Sequence, residues 1–102
     1  MRNLLMTKEL ERTLPPLYAQ EGKRGDAIVY AHYFTPRSNW DWYVLEYDPN
    51  DKLFFGYVCG LENEYGYFSI AEFEELNHNK IAPVVERDLY WEPKTLSEVR
   101  KE

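Results

Sequence analysis

The amino-acid sequence predicts an α+β fold, an antiparallel meander of four to five strands with three short helices on one face or at one end. Three observations predict it. Helix-type and strand-type patterns follow one another as helix, three or four strands, helix, strand, helix. The connections between successive strand patterns are too short for a parallel return, which needs a crossover of about a dozen residues, so neighbours pair antiparallel. Two Ser/Thr-x-x-Glu capping signals, Ser69 to Glu72 and Thr95 to Glu98, mark helix starts after strand-like runs.

The first element is a short helix in TKELERTLPPLY. Thr7 caps it, Leu10 and Leu14 share one face, and Pro15 and Pro16 stop it near Leu14 because each disfavours helical backbone in the residue before it. The polar run AQEGKRGD (19–26) is a loop. AIVYAHYF (27–34), rich in rings and β-branched residues on both faces, predicts a central strand covered on both sides. WDWYVLEY (40–47) alternates, with Trp40, Trp42, Val44 and Glu46 on one face and Asp41, Tyr43, Leu45 and Tyr47 on the other.

DPNDK supplies the turn of a hairpin into LFFGYVCG (53–60), where Gly56 marks a bulge or a close approach of backbone or ring. After a turn at ENE, YGYF predicts a fourth short strand. The helix IAEFEELN carries Ile70, Phe73 and Leu76 as one apolar stripe and its glutamates outward. PVVERDLYW (83–91) predicts a fifth strand with Val85, Arg87 and Leu89 on one face, and Thr95 opens a short terminal helix.

The 102 residues read as one domain spanning 1–102, with Met1 as a native start. The lone Cys59 rules out an intramolecular disulfide and a multi-cysteine zinc site. No charged start precedes a long apolar run, so the expectation is a soluble cytoplasmic protein without signal peptide or membrane contact. The formal charge of −6 is uneven. Residues 1–40 hold six Lys/Arg against four Asp/Glu (+2), residues 41–92 hold three against twelve (−9), and residues 93–102 hold three against two (+1). Nucleic-acid binding needs clustered cations, which the acidic segment lacks; a basic protein partner suits it better.

Ring-rich SNWDWYVLEYD (38–48) chiefly supplies core, with one ring and one acid left at the surface. The i, i+2 carboxylate pairs Glu46/Asp48, Glu62/Glu64 and Glu86/Asp88 have the spacing of a carboxylate dyad or hard-metal site, and equally that of a solvated strand face. His32 and His78 lack metal-ligand spacing: His32 reads as a satisfied strand residue and His78 suits a helix C-terminus. Cys59 acts as a nucleophile only with a base such as His32 beside it and electropositive surroundings. GKRGD lacks the spacing and context of a phosphate loop.

Several phrases carry a family resemblance: LLMTKEL, LPPLYAQEG, FTPRSNWDWYVLEYDPNDKLFFGYV, YGYFSIAEFEEL and VERDLYWEPKTLSEV. Together they resemble a family of small bacterial proteins classed as a domain of unknown function, often encoded on plasmids, phages and other mobile elements. The 19–26 loop is not carried by the resemblance, which implies a compact domain standing alone and brings no catalytic residue. Within the family-type positions, Asn39, Trp42, Glu46, Glu86 and Arg87 mix charge and rings and are the candidate binding surface. The leading expectation is a non-enzymatic accessory protein docking on a basic partner, without cofactor or metal. The alternatives are a small carboxylate-based or metal-assisted hydrolase and a single-stranded nucleic-acid-binding module.

Overall fold

A computed structural model describes residues 4–101 of the chain. Helix α1 (Lys8–Thr13) starts where the Leu10 amide donates to the Thr7 hydroxyl and ends at Leu14 in extended backbone, ahead of the two prolines. The strands are β1 (Ile28–Val29), β2 (Ala31–Phe34), β3 (Asp41–Asp48), β4 (Leu53–Cys59), β5 (Asn63–Ser69), β6 (Glu86–Arg87) and β7 (Lys94–Thr95). Helix α2 (Ile70–Asn77) follows β5, and α3 (Leu96–Arg100) follows β7. A five-stranded antiparallel sheet runs β5-β4-β3-β2-β6, and β1 pairs with β7 in a second, smaller one. The fold is α+β, as the sequence predicts.

Several elements depart from the sequence reading. The run 27–34 is two strands, not one. It breaks at Tyr30, and β1 leaves the large sheet to pair with β7, burying Ala27 and Val29 against Leu96. The fourth strand begins at Asn63 rather than Tyr65, because pairing with β4 continues to Cys59↔Asn63. The fifth strand shrinks to Glu86–Arg87: the Tyr90 amide donates to Asp88 Oδ1, an Asx-type turn that ends the extended run and leaves Leu89 and Tyr90 exposed. Ser69 and Thr95 cap their helices as predicted, but Leu76 leaves the apolar stripe of α2 and is 46% exposed.

Both faces of the large sheet carry packed elements, the second only in part, so the helices divide between them instead of gathering on one. On the first face, Tyr33, Trp42, Val44, Phe54 and Phe68 bury against Ile70 and Phe73 of α2 and Leu14 after α1. Phe73 is the anchor, its ring 4.9 Å from that of Trp42 and 5.0 Å from that of Tyr33. On the second face, Leu45 and Tyr57 pack with Ala27, Val29 and Leu96 beneath α3 and the small sheet.

The register of β3 against β4 shifts in the middle. Val44 faces Gly56, but Glu46 faces Phe55, so Leu45 is an extra, bulged residue. A bulge flips every side chain beyond it. Tyr47 therefore joins Trp42 and Val44 in the first cluster, whereas Glu46 leaves the face that strict alternation assigned it and stands beside Phe55 on the second. Gly56 permits the bulge, since a Cβ there would lie 2.1 Å from the backbone oxygen of Tyr43.

Gly56→Ala must therefore displace main chain rather than a flexible side chain. We expect a destabilisation of about 3 kcal/mol, the upper end of the overpacking range, read as a lower urea midpoint at unchanged slope. An unaltered midpoint would show that β3 reaches its register by other means.

Candidate functional site

The five residues nominated from sequence do not form one surface. Asn39 is exposed in the turn before β3. Trp42 is only 9% exposed and packs edge-on against Phe73, a core residue. Arg87, Tyr33 and Trp42 form one row across β6, β2 and β3, and what the row holds is the chain's own N-terminal segment. The Arg87 Nε donates to the Leu4 carbonyl at 2.8 Å, and the Tyr33 hydroxyl donates to the Leu5 carbonyl. Glu86 lines a different concavity of about 900 Å³, between the 77–86 loop and residues 4–6. One polar side chain there, Asn77, is engaged with the backbone of Val84 and Val85.

Glu46 is the nominated residue around which a site is built, though it is buried rather than on the surface. At 4% exposure, its Oε1 accepts from the Tyr18 amide and its Oε2 from the Gln20 amide, both at 2.8 Å. Gln20 extends the network: its Nε2 donates to the Leu45 and Ile28 carbonyls, and its Oε1 accepts from the Ile28 amide. The loop after α1 is thus tied to the bulge. Tyr18 sits at φ 73°, a left-handed backbone that costs a bulky residue about 1–3 kcal/mol unless its surroundings impose it. The Glu46 bond to its amide is such an imposition.

This arrangement projects the Tyr18 ring into solvent beside the rings of β4 and β5. Tyr18, Phe55, Tyr65 and Tyr67 border a hollow of about 380 Å³, with Glu46, Glu21 and Arg24 also on its wall. Tyr18 is 66% exposed, Tyr67 52% and Tyr65 45%, so much of three aromatic rings faces water. Phe55 stacks on Tyr65 at 6.1 Å and leans on Tyr67 at 5.1 Å, which fixes the floor. A hydrogen bond to Tyr18 raises the Tyr67 phenol above its ordinary value, and the nearby Glu46 and Glu21 charges push the same way. The hollow carries two carboxylates and one guanidinium on its wall. Its signal was half visible in the sequence, because YGYF shows alternating rings, but Tyr18 and Glu21 come from a loop that no pattern links to β5.

The remaining chemistry-bearing groups are engaged elsewhere. His32 lies between two carboxylates, its Nε2 2.7 Å from Asp41 Oδ1 and its Nδ1 3.0 Å from Asp88 Oδ2. Each ring nitrogen is thus within hydrogen-bond distance of a different carboxylate. The ring stacks 4.8 Å from Tyr43 and meets Trp91 at a tilt, 5.2 Å away, which makes it a clamp joining β2, β3 and the segment after β6. Cys59 pairs across the ladder with Asp41; burial and then that carboxylate push its thiol up, opposite to what a nucleophile requires.

The carboxylate pairs do not converge. Asp48 accepts from the Asn50 amide, Asp88 is shared by His32 and Tyr90, and Glu62 and Glu64 are exposed. Among the described residues no three His, Cys, Asp or Glu side chains are grouped to hold a metal ion, and no helix is long and apolar enough to cross a membrane.

A family model described as protein of unknown function (DUF2958) matches residues 5–100. No curated protein and no solved structure matches.

Two outcomes follow from this geometry. Glu46→Gln leaves one oxygen for two buried amides, so the protein should lose about 2 kcal/mol, and the Tyr18 and Gln20 amides should exchange hydrogen faster. Unchanged exchange would separate Glu46 from the loop. The Tyr43 phenol, raised from 10.0 to about 12 by burial first and then by Asp41, Cys59 and Asp88, predicts an alkaline effect. The unfolded chain ionises first, so stability is whole below pH 10 and falls as pH climbs towards 12. Urea midpoints should drop across that window, and Tyr43→Phe should flatten part of the fall; the rest is shared by Tyr33, Tyr47, Tyr67 and Cys59, which are also raised.

Proposed function

The chain belongs to the family described as protein of unknown function (DUF2958), and on that premise we propose that it is a non-enzymatic binding protein whose ring-lined hollow receives a basic side chain of a protein partner. The observation that carries this reading is the Tyr18–Phe55–Tyr65–Tyr67 wall, three of its rings open to water, with Glu21 and Glu46 beside it. An ammonium or guanidinium over such faces gains cation–π attraction as well as the field of the acids. The same side of the molecule uses this chemistry internally: Lys94 Nζ lies 4.5 Å from the Trp91 ring centre, and the Arg100 guanidinium 5.0 Å from that of Tyr57.

Single-stranded nucleic acid would also stack on tyrosines, but it needs a cationic groove to neutralise phosphates. Glu21 and Glu46 on the wall outnumber its arginine, Arg24, and supply the opposite field. Hydrolysis on a carboxylate pair finds less support, because Asp48 and Asp88 already hold structural hydrogen bonds. Basic-partner docking fits the charge, the rings and the hollow together.

The test is a fluorescence or NMR titration with arginine- and lysine-containing peptides at low salt. Tyr67→Ala, on an exposed strand position, should keep the fold and weaken binding about tenfold, the size of one cation–π contact. Added salt should weaken the parent further. Trp42→Ala is a poor probe because it opens a core cavity. No binding by any basic peptide, or identical binding after Tyr67→Ala, would overturn the proposal.

A further inference from the structure

Strand β5 ends the large sheet on its side, and seven of its residues pair with β4 in unbroken register from Leu53↔Ser69 to Cys59↔Asn63. Among the described residues no strand pairs with its other side; a free edge of this length invites another strand, and proteins ordinarily blunt such an edge with lysine, proline or a bulge. β5, NEYGYFS, carries none of these. At its centre stands Gly66, where a Cβ would meet nothing within 4 Å and the backbone is not left-handed. Neither packing nor conformation requires glycine there. Its effect is to leave the strand bare for close approach by another backbone.

Charge selects what approaches. Residues 60–76 contain Glu62, Glu64, Glu72, Glu74 and Glu75 and no Lys, Arg or His. A second copy of this chain would set like charges together along the edge, whereas a cationic segment is attracted to it. Tyr65 and Tyr67, two residues apart, point to the same side of β5 about 7 Å from one another. That interval matches alternate side chains of a neighbouring strand.

Resting on the reading of the hollow as a cation receptor, we infer that the partner is bound as an extended basic segment. It pairs with the free edge of β5 and places alternate Lys or Arg side chains on the Tyr65 and Tyr67 rings. Main-chain hydrogen bonds supply affinity and the rings supply selectivity, as in other strand-addition sites.

The experiment compares an Arg-Ser repeat peptide with two forms of it, one N-methylated on every arginine amide and the other on every serine amide. Only alternate amides of an added strand face its host. One methylated form should therefore bind like the parent and the other at least about tenfold more weakly. The parent should also slow hydrogen exchange along β5. Gly66→Lys, whose side chain points away from the rings, should weaken the parent peptide and leave binding of N-acetyl-argininamide unchanged.

Equal binding of both methylated forms, or an unaffected Gly66→Lys, would sink strand pairing while leaving the cation site standing. Failure of the parent peptide and N-acetyl-argininamide alike would instead remove the cation site itself. A concentration-dependent dimer with β5 protected and no peptide present would assign the edge to a second copy and overturn the inference.

Discussion

The pair of hydrogen bonds from the Tyr18 and Gln20 amides to Glu46 is the constraint on which the surface of this protein depends. A carboxylate buried in a β-sheet is stable only when its oxygens are paired, and here two main-chain donors meet that demand. In return the loop after α1 is pinned to the sheet, and a tyrosine is held in left-handed backbone with its ring outward. None of this is possible in a regular β3. The residue inserted at Leu45 turns Glu46 towards the loop, and the absence of a side chain at Gly56 lets the two strands close around the insertion.

The sheet therefore has two unlike faces. The first is closed by α1 and α2 over a packed group of rings in which Phe73 touches Tyr33, Trp42 and Phe68. The second is covered only in part. His32, held by two aspartates and stacked on Tyr43, secures one region, and α3 with the small sheet covers Leu45 and Tyr57. Beyond that cover the rings of Phe55, Tyr65 and Tyr67 continue outward to the edge strand. Aromatic side chains thus serve as interior on one face and as accessible surface on the other.

Acidity follows the same division. Glutamates gather at the start of β5 and along α2, whereas Lys94 and Arg100 are laid on rings of the covered part. The accessible rings are left beside Glu21 and Glu46, with Arg24 also on the wall. A surface of that kind distinguishes cations from other ligands because both of its components, quadrupole and carboxylate, favour the same sign.

Local chemistry alone determined much of the fold. Thr7, Ser69 and Thr95 cap helices because a side-chain oxygen beside free amides needs no distant partner, and Pro15–Pro16 stop α1 for a steric reason within a few atoms. The hairpins β3–β4 and β4–β5 follow from short turns, and Gly56 was readable as an irregularity. Residues that depend on remote partners were not legible. Trp42 looked like surface chemistry and is core; Glu46 looked exposed and is buried; β1 looked continuous with β2 and pairs instead with β7, more than sixty residues later. The face on which Glu46 lies turns on one inserted residue, and a period of two has no memory of where it slipped. Tyr18 meets Tyr67 only because a carboxylate twenty-eight residues along the chain holds the intervening loop, and that is a property of the folded chain.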